Sequence, residues 1–292
     1  MRGQQAGTEQ GEAVLAQAVA AYQAALGSRL IAAYALGSLA HGGFSPLVSD
    51  VDLGLILRDP LWLKHRLTVR TVARGVRADG SALHRRLSVF WGTPATLQGR
   101  ARGGRFPPLD RLDLLEYGRL LAGRDAREDM ARPGPDELLV AGAEFALGTL
   151  GGSGNLPDRL RGRVRPGRPD DAVGEIRAPS RLVSRGPRRL TKVVLFPVRF
   201  LFTAATGRVG TNALAAEHYL ASAGAPATGL VAAALTWREQ PPADEAAAVA
   251  LLSRELISLY THYLDDHIAR LSAAGHDRLA SRFREWRARL TA

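Results

Sequence analysis

Leu36-Gly37-Ser38, followed after eleven residues by Asp50-Val51-Asp52-Leu53, is the stretch that decides how this chain reads. A small-residue turn closes one apolar run, and an Asp-x-Asp pair opens the next. A Gly-Ser turn leading into a helix presents backbone N–H groups that can cradle phosphates. Carboxylates two residues apart on a strand point to the same face. Asp50 and Asp52 can therefore share a hard cation such as Mg²⁺, which prefers oxygen ligands and keeps waters or phosphate oxygens in its shell. Together these are the minimal parts for moving a phosphate-linked group between oxygens with metal assistance.

Working outward, residues 9–26 carry Val14, Leu15, Val19, Tyr22 and Leu26 at helical spacing, and the helix ends near Gly27-Ser28. Residues 29–36 read as a buried strand, 38–42 as a short helix start, 51–57 as a second strand, 61–77 as an Arg-rich helix and 87–91 as a third strand. From about residue 108 the pattern turns helical: 109–122 ending at Gly123, then 136–150. Residues 151–188 are rich in Gly, Pro and Arg with little periodicity and read as a long loop. Helices are expected again at about 189–206, 211–223, 226–236, 243–270 and 274–290. The reading is an α+β architecture: a small mixed-sheet domain at 1–106, then an all-helical domain at 107–292 that contains the 151–188 loop.

Composition narrows the classes. The chain has 292 residues, enough for two domains, and 46% are hydrophobic, enough for sizeable cores. The formal net charge of +11 comes almost wholly from Arg, Lys64 and Lys192 being the only lysines. With abundant Ala, Gly and Pro, this reads first as the bias of a GC-rich bacterial genome. Local Arg density at 159–168 and 181–189 leaves a phosphate-bearing partner, nucleic acid included, as the alternative. Cysteine is absent, which excludes disulfides, thiolate metal sites and a Cys nucleophile. Residues Met1 to Glu12 carry Glu9 and Glu12 and no apolar core, so a signal peptide is not expected. The apolar run 193–206 is broken by Pro197 and Arg199, so a membrane span is not expected. A cytoplasmic protein is the expectation.

The spaced pair of motifs resembles the DNA polymerase β-like nucleotidyltransferase superfamily, whose signature is a Gly-Ser turn, a spacer of about this length and acid-x-acid on a strand. A second stretch, Leu190-Thr191-Lys192-Val193-Val194-Leu195 through Arg199 and Thr206-Gly207-Arg208-Val209 to Ala215-Ala216-Glu217, is similar to the helical domain of the aminoglycoside adenylyltransferases that modify streptomycin and spectinomycin. Leu115 to Arg127, with Leu120-Leu121-Ala122-Gly123, is similar to an apolar helix end of that family. The resemblance implies a nucleotidyltransferase domain followed by a helical substrate domain, with ATP or another NTP as co-substrate, Mg²⁺ as cofactor and a small-molecule hydroxyl, such as that of an aminoglycoside, as acceptor. It implies that Gly37 and Ser38 hold the triphosphate, Asp50 and Asp52 bind the metal, and Glu217 meets a cationic substrate; Lys192 and Arg199 are candidate phosphate contacts, with helix packing or ion pairs as the alternative.

Two departures accompany the resemblance. The family carries a third carboxylate, the base for the attacking hydroxyl, at the position of Ser88, and a neutral serine does not accept that proton at pH 7. The family's phosphate-contacting Lys falls at Asn212, where Lys192 or Arg208 are possible substitutes, and Ala213 replaces one of two drug-contacting acids. Replacement bases to consider are Glu116 and Glu144. Other readings stay open: His41 as a loop residue or a phosphate contact, Trp91 as core or as a stacking platform, and His262 with Asp266 as a surface hydrogen bond. Three functions follow: a transferase, a catalytically impaired nucleotide-binding or regulatory protein on the same fold, and a nucleic-acid binder through 159–189.

Overall fold

A computed structural model of the chain describes residues 2–78, 80–101, 103–128, 130–151 and 172–292. It divides into two compact units, Met1–Pro133 and Gly134–Ala292. Among the described residues no helix is long and apolar enough to cross a membrane.

The first unit runs α1 (Arg2–Leu26), a 3₁₀ turn (Gly27–Arg29), β1 (Leu30–Leu36), α2 (Gly37–His41), β2 (Val51–Leu57), α3 (Leu63–Ala78), α4 (Ala82–Arg85), β3 (Leu87–Gly92), α5 (Pro94–Leu97), α6 (Pro108–Tyr117) and β4 (Arg119–Gly123). The four strands form one mixed sheet in the order β3-β2-β1-β4. β1 is antiparallel to both β2 and β4, and β2 is parallel to β3.

Strand alternation sorts the side chains onto two faces. Ala33, Ala35, Val51, Leu53, Leu55, Leu57, Leu87, Val89 and Trp91 pack with Val14, Leu15, Ala18 and Tyr22 of α1 and Val69, Ala73 and Val76 of α3. The spacing of those α1 and α3 residues is the apolar stripe that makes them helices in the first place. Tyr22 crosses between the two helices and donates its hydroxyl to Val69 O at 2.9 Å. The opposite face carries Ala32, Tyr34, Leu36 and Ile56, and Leu97, Leu114 of α6 and Ala126 pack on it.

Here the chain departs from the expectation at 109–122. The helix stops at Tyr117, and 119–123 is a strand. Gly118 is the cap at that stop and has to be glycine, because a Cβ there would lie 2.4 Å from Leu114 O. Gly123, at φ +82°, sits against Ile31 O, where no side chain fits. β4 pairs with β1 inside the first unit, which runs to Pro133. Behind β4, the Tyr34 hydroxyl donates to Asp125 Oδ1 (2.9 Å) and accepts from the Ala126 N–H (2.7 Å). Burial pushes the Tyr34 phenol up to about 12. The Arg127 guanidinium bonded to Asp125 holds that carboxyl well below the usual range.

The second unit is helical: α7 (Pro135–Thr149), α8 (Ala172–Arg177), α9 (Pro179–Ser184), α10 (Pro187–Thr206), α11 (Asn212–Ala221), α12 (Thr228–Thr236), α13 (Glu245–Ala273) and α14 (Asp277–Thr291). Of the loop expected at 151–188, residues 152–171 lie outside the described residues, and 172–188 is mostly helix rather than loop. Buried Glu175 of α8 accepts from Arg185 Nε (3.1 Å) and Arg189 Nε (2.8 Å).

The core of this unit is aromatic. Tyr260, Tyr263, Phe283 and Trp286 are fully buried, with ring centroids 5.6–6.2 Å apart. His267 stacks on Phe283 and lies 4.4 Å from the Tyr263 ring. The hydrogen bond expected between His262 and Asp266 gives way to others: Asp266 accepts from Arg270 Nε (2.9 Å) and lies 3.2 Å from His267 Nδ1, while His262 packs on Tyr219. Burial holds the His267 imidazole below its ordinary 6.5, against the opposing pull of Asp266. The unfolded chain then takes up a proton near pH 6.5 that the folded chain resists. Stability is fully present above that pH and declines as pH falls below it. Urea midpoints at pH 7.5 and pH 5.5 should show a loss in the wild type that His267→Phe reduces; an equal loss in the variant excludes His267 as the source.

Candidate functional site

The site is built where β1 ends and β2 begins. The antiparallel register sets Leu36 beside Asp52, and the parallel register sets Ser88 on the other side of Asp52. Asp52, Gly54 and Ile56 alternate onto the face that carries Tyr34 and Leu36. Gly54 has to be small, since a Cβ would meet Leu36 Cδ1 at 3.1 Å and Phe106 Cζ at 3.3 Å. Asp50 immediately precedes β2 and is half-buried, two residues from Asp52. The spacer ahead of it is stapled by serines: Ser49 N–H donates to Ser45 O (2.8 Å), and Ser45 N–H to Ser49 Oγ (3.0 Å).

Gly37 starts the short α2 with φ +60°. A Cβ on it would lie 2.5 Å from Asp52 Oδ2, so the backbone of the turn rests directly on that carboxylate. Only glycine meets both conditions without strain. The Gly37 N–H donates to Asp113 Oδ2 at 2.6 Å. That amide, expected to face a phosphate, is engaged by a carboxylate of α6. Ser38 follows it in α2, half-buried, and lines an open hollow with Gln5, Thr8, Leu39, Gly42, Gly43 and Phe44. His41 bonds to Gly42 O (3.0 Å) and meets the Tyr117 ring edge-on at 5.4 Å.

Lys192, Arg199 and Glu217 belong to the second unit. On α10, Lys192 and Arg199 bracket Phe196, their cations 5.9 and 5.5 Å from its ring centroid. Arg199 Nε also donates to Gly210 O. The Thr-Gly turn expected at 206–207 is a left-handed helix end at Gly207, φ +66°. Gly210 packs its Cα face on Arg199 O, and Thr211 caps α11 by accepting from Leu214 N–H (3.2 Å). Asn212 is the first residue of α11, Arg208 is exposed, and Glu217 projects from α11 into solvent.

Glu116 and Glu144 are the two candidate bases. Glu116 is ion-paired with Arg132, and Glu144 is exposed on α7. Trp91 is buried in the core between the sheet and α1 and α3, which settles it as packing. In the Arg-rich stretch 159–189, residues 159–171 lie outside the described residues, and Arg185 and Arg189 are engaged by Glu175.

No family model matches the chain, and no curated protein matches it in sequence. Among solved structures it is similar to a spectinomycin adenyltransferase from Enterococcus faecialis, determined with ATP and spectinomycin. The TM-score is 0.50 at 13% identity, over 84% of this chain and 98% of that one. The fold is nucleotidyltransferase-like. In this nucleotidyltransferase-like fold, the mixed sheet of the first unit is followed by a helical unit, as the α+β reading expected.

Sequence reasoning missed one residue. Asp113 is nine-tenths buried on α6 and bonded to the head of the turn. The sequence does not single it out: of Leu109, Leu112, Asp113, Glu116 and Tyr117, which share a helix face, two are acids. A carboxylate there needs a partner, and the Gly37 amide supplies one.

Proposed function

We propose that the chain is a Mg²⁺-dependent nucleotidyltransferase that moves AMP, or another NMP, from an NTP to a hydroxyl of a small molecule. The observation that carries this reading is the Gly37 turn seated on the Asp52 carboxylate at the junction of β1 and β2. The similar fold of a spectinomycin adenyltransferase supports ATP as donor and a spectinomycin-like acceptor as the first to test.

The donor set fits a hard divalent cation: Asp50 and Asp52 offer only oxygen, two residues apart at the start of one strand. Among the described residues no group of three or more His, Cys, Asp or Glu could hold a metal by itself. Two carboxylates suit Mg²⁺, which completes its shell with water and substrate phosphate. Bound there, it would neutralise triphosphate charge. The protein's own part is positioning: the turn aligns the phosphates, and Ser38 offers a hydroxyl. Within the second unit, Lys192 and Arg199 would offer positive charge to a phosphate and Glu217 negative charge to a cationic acceptor.

A second reading, a nucleotide-binding or regulatory protein that transfers nothing, is favoured by Ser88 lying beside Asp52 in register. A hydroxyl there does not serve as a base. Calorimetric titration with ATP, with and without Mg²⁺, tests the site common to both. Binding that requires Mg²⁺ and falls at least about tenfold in Asp52→Asn is expected, since even outer-shell partners of a metal contribute about 10–100-fold. Absence of binding by the wild type overturns both readings.

A further inference from the structure

We propose that the outer face of α3 docks the first unit on an anionic lipid bilayer. Leu63, Trp62 and Leu67 are 68, 59 and 52% exposed, the highest values among the large apolar side chains of the described residues. Single apolar residues on a surface need no explanation, but a group of them marks a contact site. Leu63 and Leu67 are one helical turn apart and share a face, and Trp62 adjoins Leu63 at the helix start.

That face points away from the core. Val69, Ala73 and Val76 pack α3 against the rest of the first unit. Helical spacing puts Leu63, Leu67, Arg70 and Arg74 on the opposite side, and all four are exposed. The start of the helix is tied down. Trp62 N–H donates to His65 Nδ1 (3.3 Å), His65 N–H donates to Trp62 O (3.0 Å), and Arg29 Nη2 donates to Pro60 O just ahead (2.6 Å).

Charge selects the partner. Residues 60–78 contain five cations, Lys64, Arg66, Arg70, Arg74 and Arg77, and no acid. Lys64, Arg70 and Arg74 are exposed along with the leucines. A second copy related by a twofold axis would set this stretch against itself, cation to cation. A nucleic acid would use the cations and stack on Trp62, leaving the two leucines without a role. A bilayer with anionic headgroups uses all of these features together. The cations meet the headgroups, Trp62 sits at the interface, and the leucines enter the boundary with the acyl chains. The attachment is peripheral, since no described helix is long and apolar enough to cross a membrane.

The test uses the full chain with vesicles of phosphatidylcholine alone and of equal parts phosphatidylcholine and phosphatidylglycerol. Cosedimentation at low salt should show binding to the mixed vesicles only, weakening as salt is raised. Trp91, Trp237 and Trp286 are buried, so Trp62 is the indole open to a lipid contact. Its emission should shift to the blue, with less quenching by acrylamide, when mixed vesicles are added. Trp62→Phe should keep most of the binding and lose the shift. Leu63→Ser with Leu67→Ser should weaken binding at least about tenfold, the usual share of a buried leucine. Lys64→Gln with Arg70→Gln and Arg74→Gln should weaken it about 10²-fold, at about fivefold per cation. The altered side chains are all exposed, so urea midpoints should match the wild type. A wild type that ignores mixed vesicles overturns the proposal, and so does binding that both sets of variants retain with Trp62 emission unchanged. Protection of Trp62 by a vesicle-free dimer, or by single-stranded RNA in place of vesicles, assigns the face to that partner and overturns it as well.

Discussion

Asp52→Asn is expected to lower nucleotidyl transfer by about 10³-fold or more while leaving the protein folded. The two side chains have nearly the same shape, so the contact with Gly37 and the register with Leu36 and Ser88 survive. The loss is of charge. An amide oxygen is a far weaker ligand for a hard dication than a carboxylate, and electrostatic stabilisation at a transferring phosphoryl group is usually the largest catalytic contribution. Losing a direct ligand should exceed the roughly 10–100-fold of an outer-shell partner. Pyrophosphate release, with ATP as donor and spectinomycin among the hydroxyl acceptors, is the measurement. It should be paired with a urea midpoint to confirm folding. Full activity in Asp52→Asn removes the metal-assisted mechanism.

Trp286→Ala should cost about 3–5 kcal/mol, the usual toll of deleting a buried aromatic. Trp286 is fully buried in α14, with ring centroids of Phe283 at 5.6 Å, Tyr260 at 5.9 Å and Tyr263 at 6.2 Å. Aromatic pairs at these separations add to area burial. Tyr260 anchors the cluster to α10 through its hydroxyl on Val193 O (2.8 Å). Against a total stability of about 5–15 kcal/mol, such a loss takes a large fraction. The indole N–H has no hydrogen-bond partner among the described residues. Trp286→Phe therefore removes an unsatisfied donor along with some volume, and should cost much less than Trp286→Ala. Urea denaturation followed by circular dichroism separates the cases. Equal midpoints for Trp286→Ala and wild type would show that the cluster carries little stability.

Much of the fold was legible in the sequence. β1, β2 and β3 are apolar runs bounded by Gly, Asp-Pro and Thr-Pro, and they lie where those breakers put them. The helices from 187 onward keep an apolar stripe and were placed to within a few residues. β4 escaped because Leu120-Leu121-Ala122 continues the helical pattern of the preceding residues, and an edge strand with half-exposed sides shows little alternation. Residues 172–188 escaped because their prolines were read as breakers. Pro179 and Pro187 instead stand at the starts of α9 and α10, where a missing N–H is harmless. The turn and the Asp-x-Asp pair were legible because local spacing encodes them. Asp113 was not, because its partner Gly37 is 76 residues away in sequence, a distance only tertiary structure closes.

Gly37 is also a position where the protein has little freedom to vary. A side chain there faces two separate obstacles: the Asp52 oxygen in its path, and a backbone angle that costs an L-residue about 1–2 kcal/mol. A compensating change at Asp52 would clear the space but leave the backbone strained, and it would remove the acid. One that relaxed the turn would pull its amide from Asp113. Each single repair breaks a different neighbour, so position 37 is a point of strong epistasis. For divergence in this chain, the turn is a closed route.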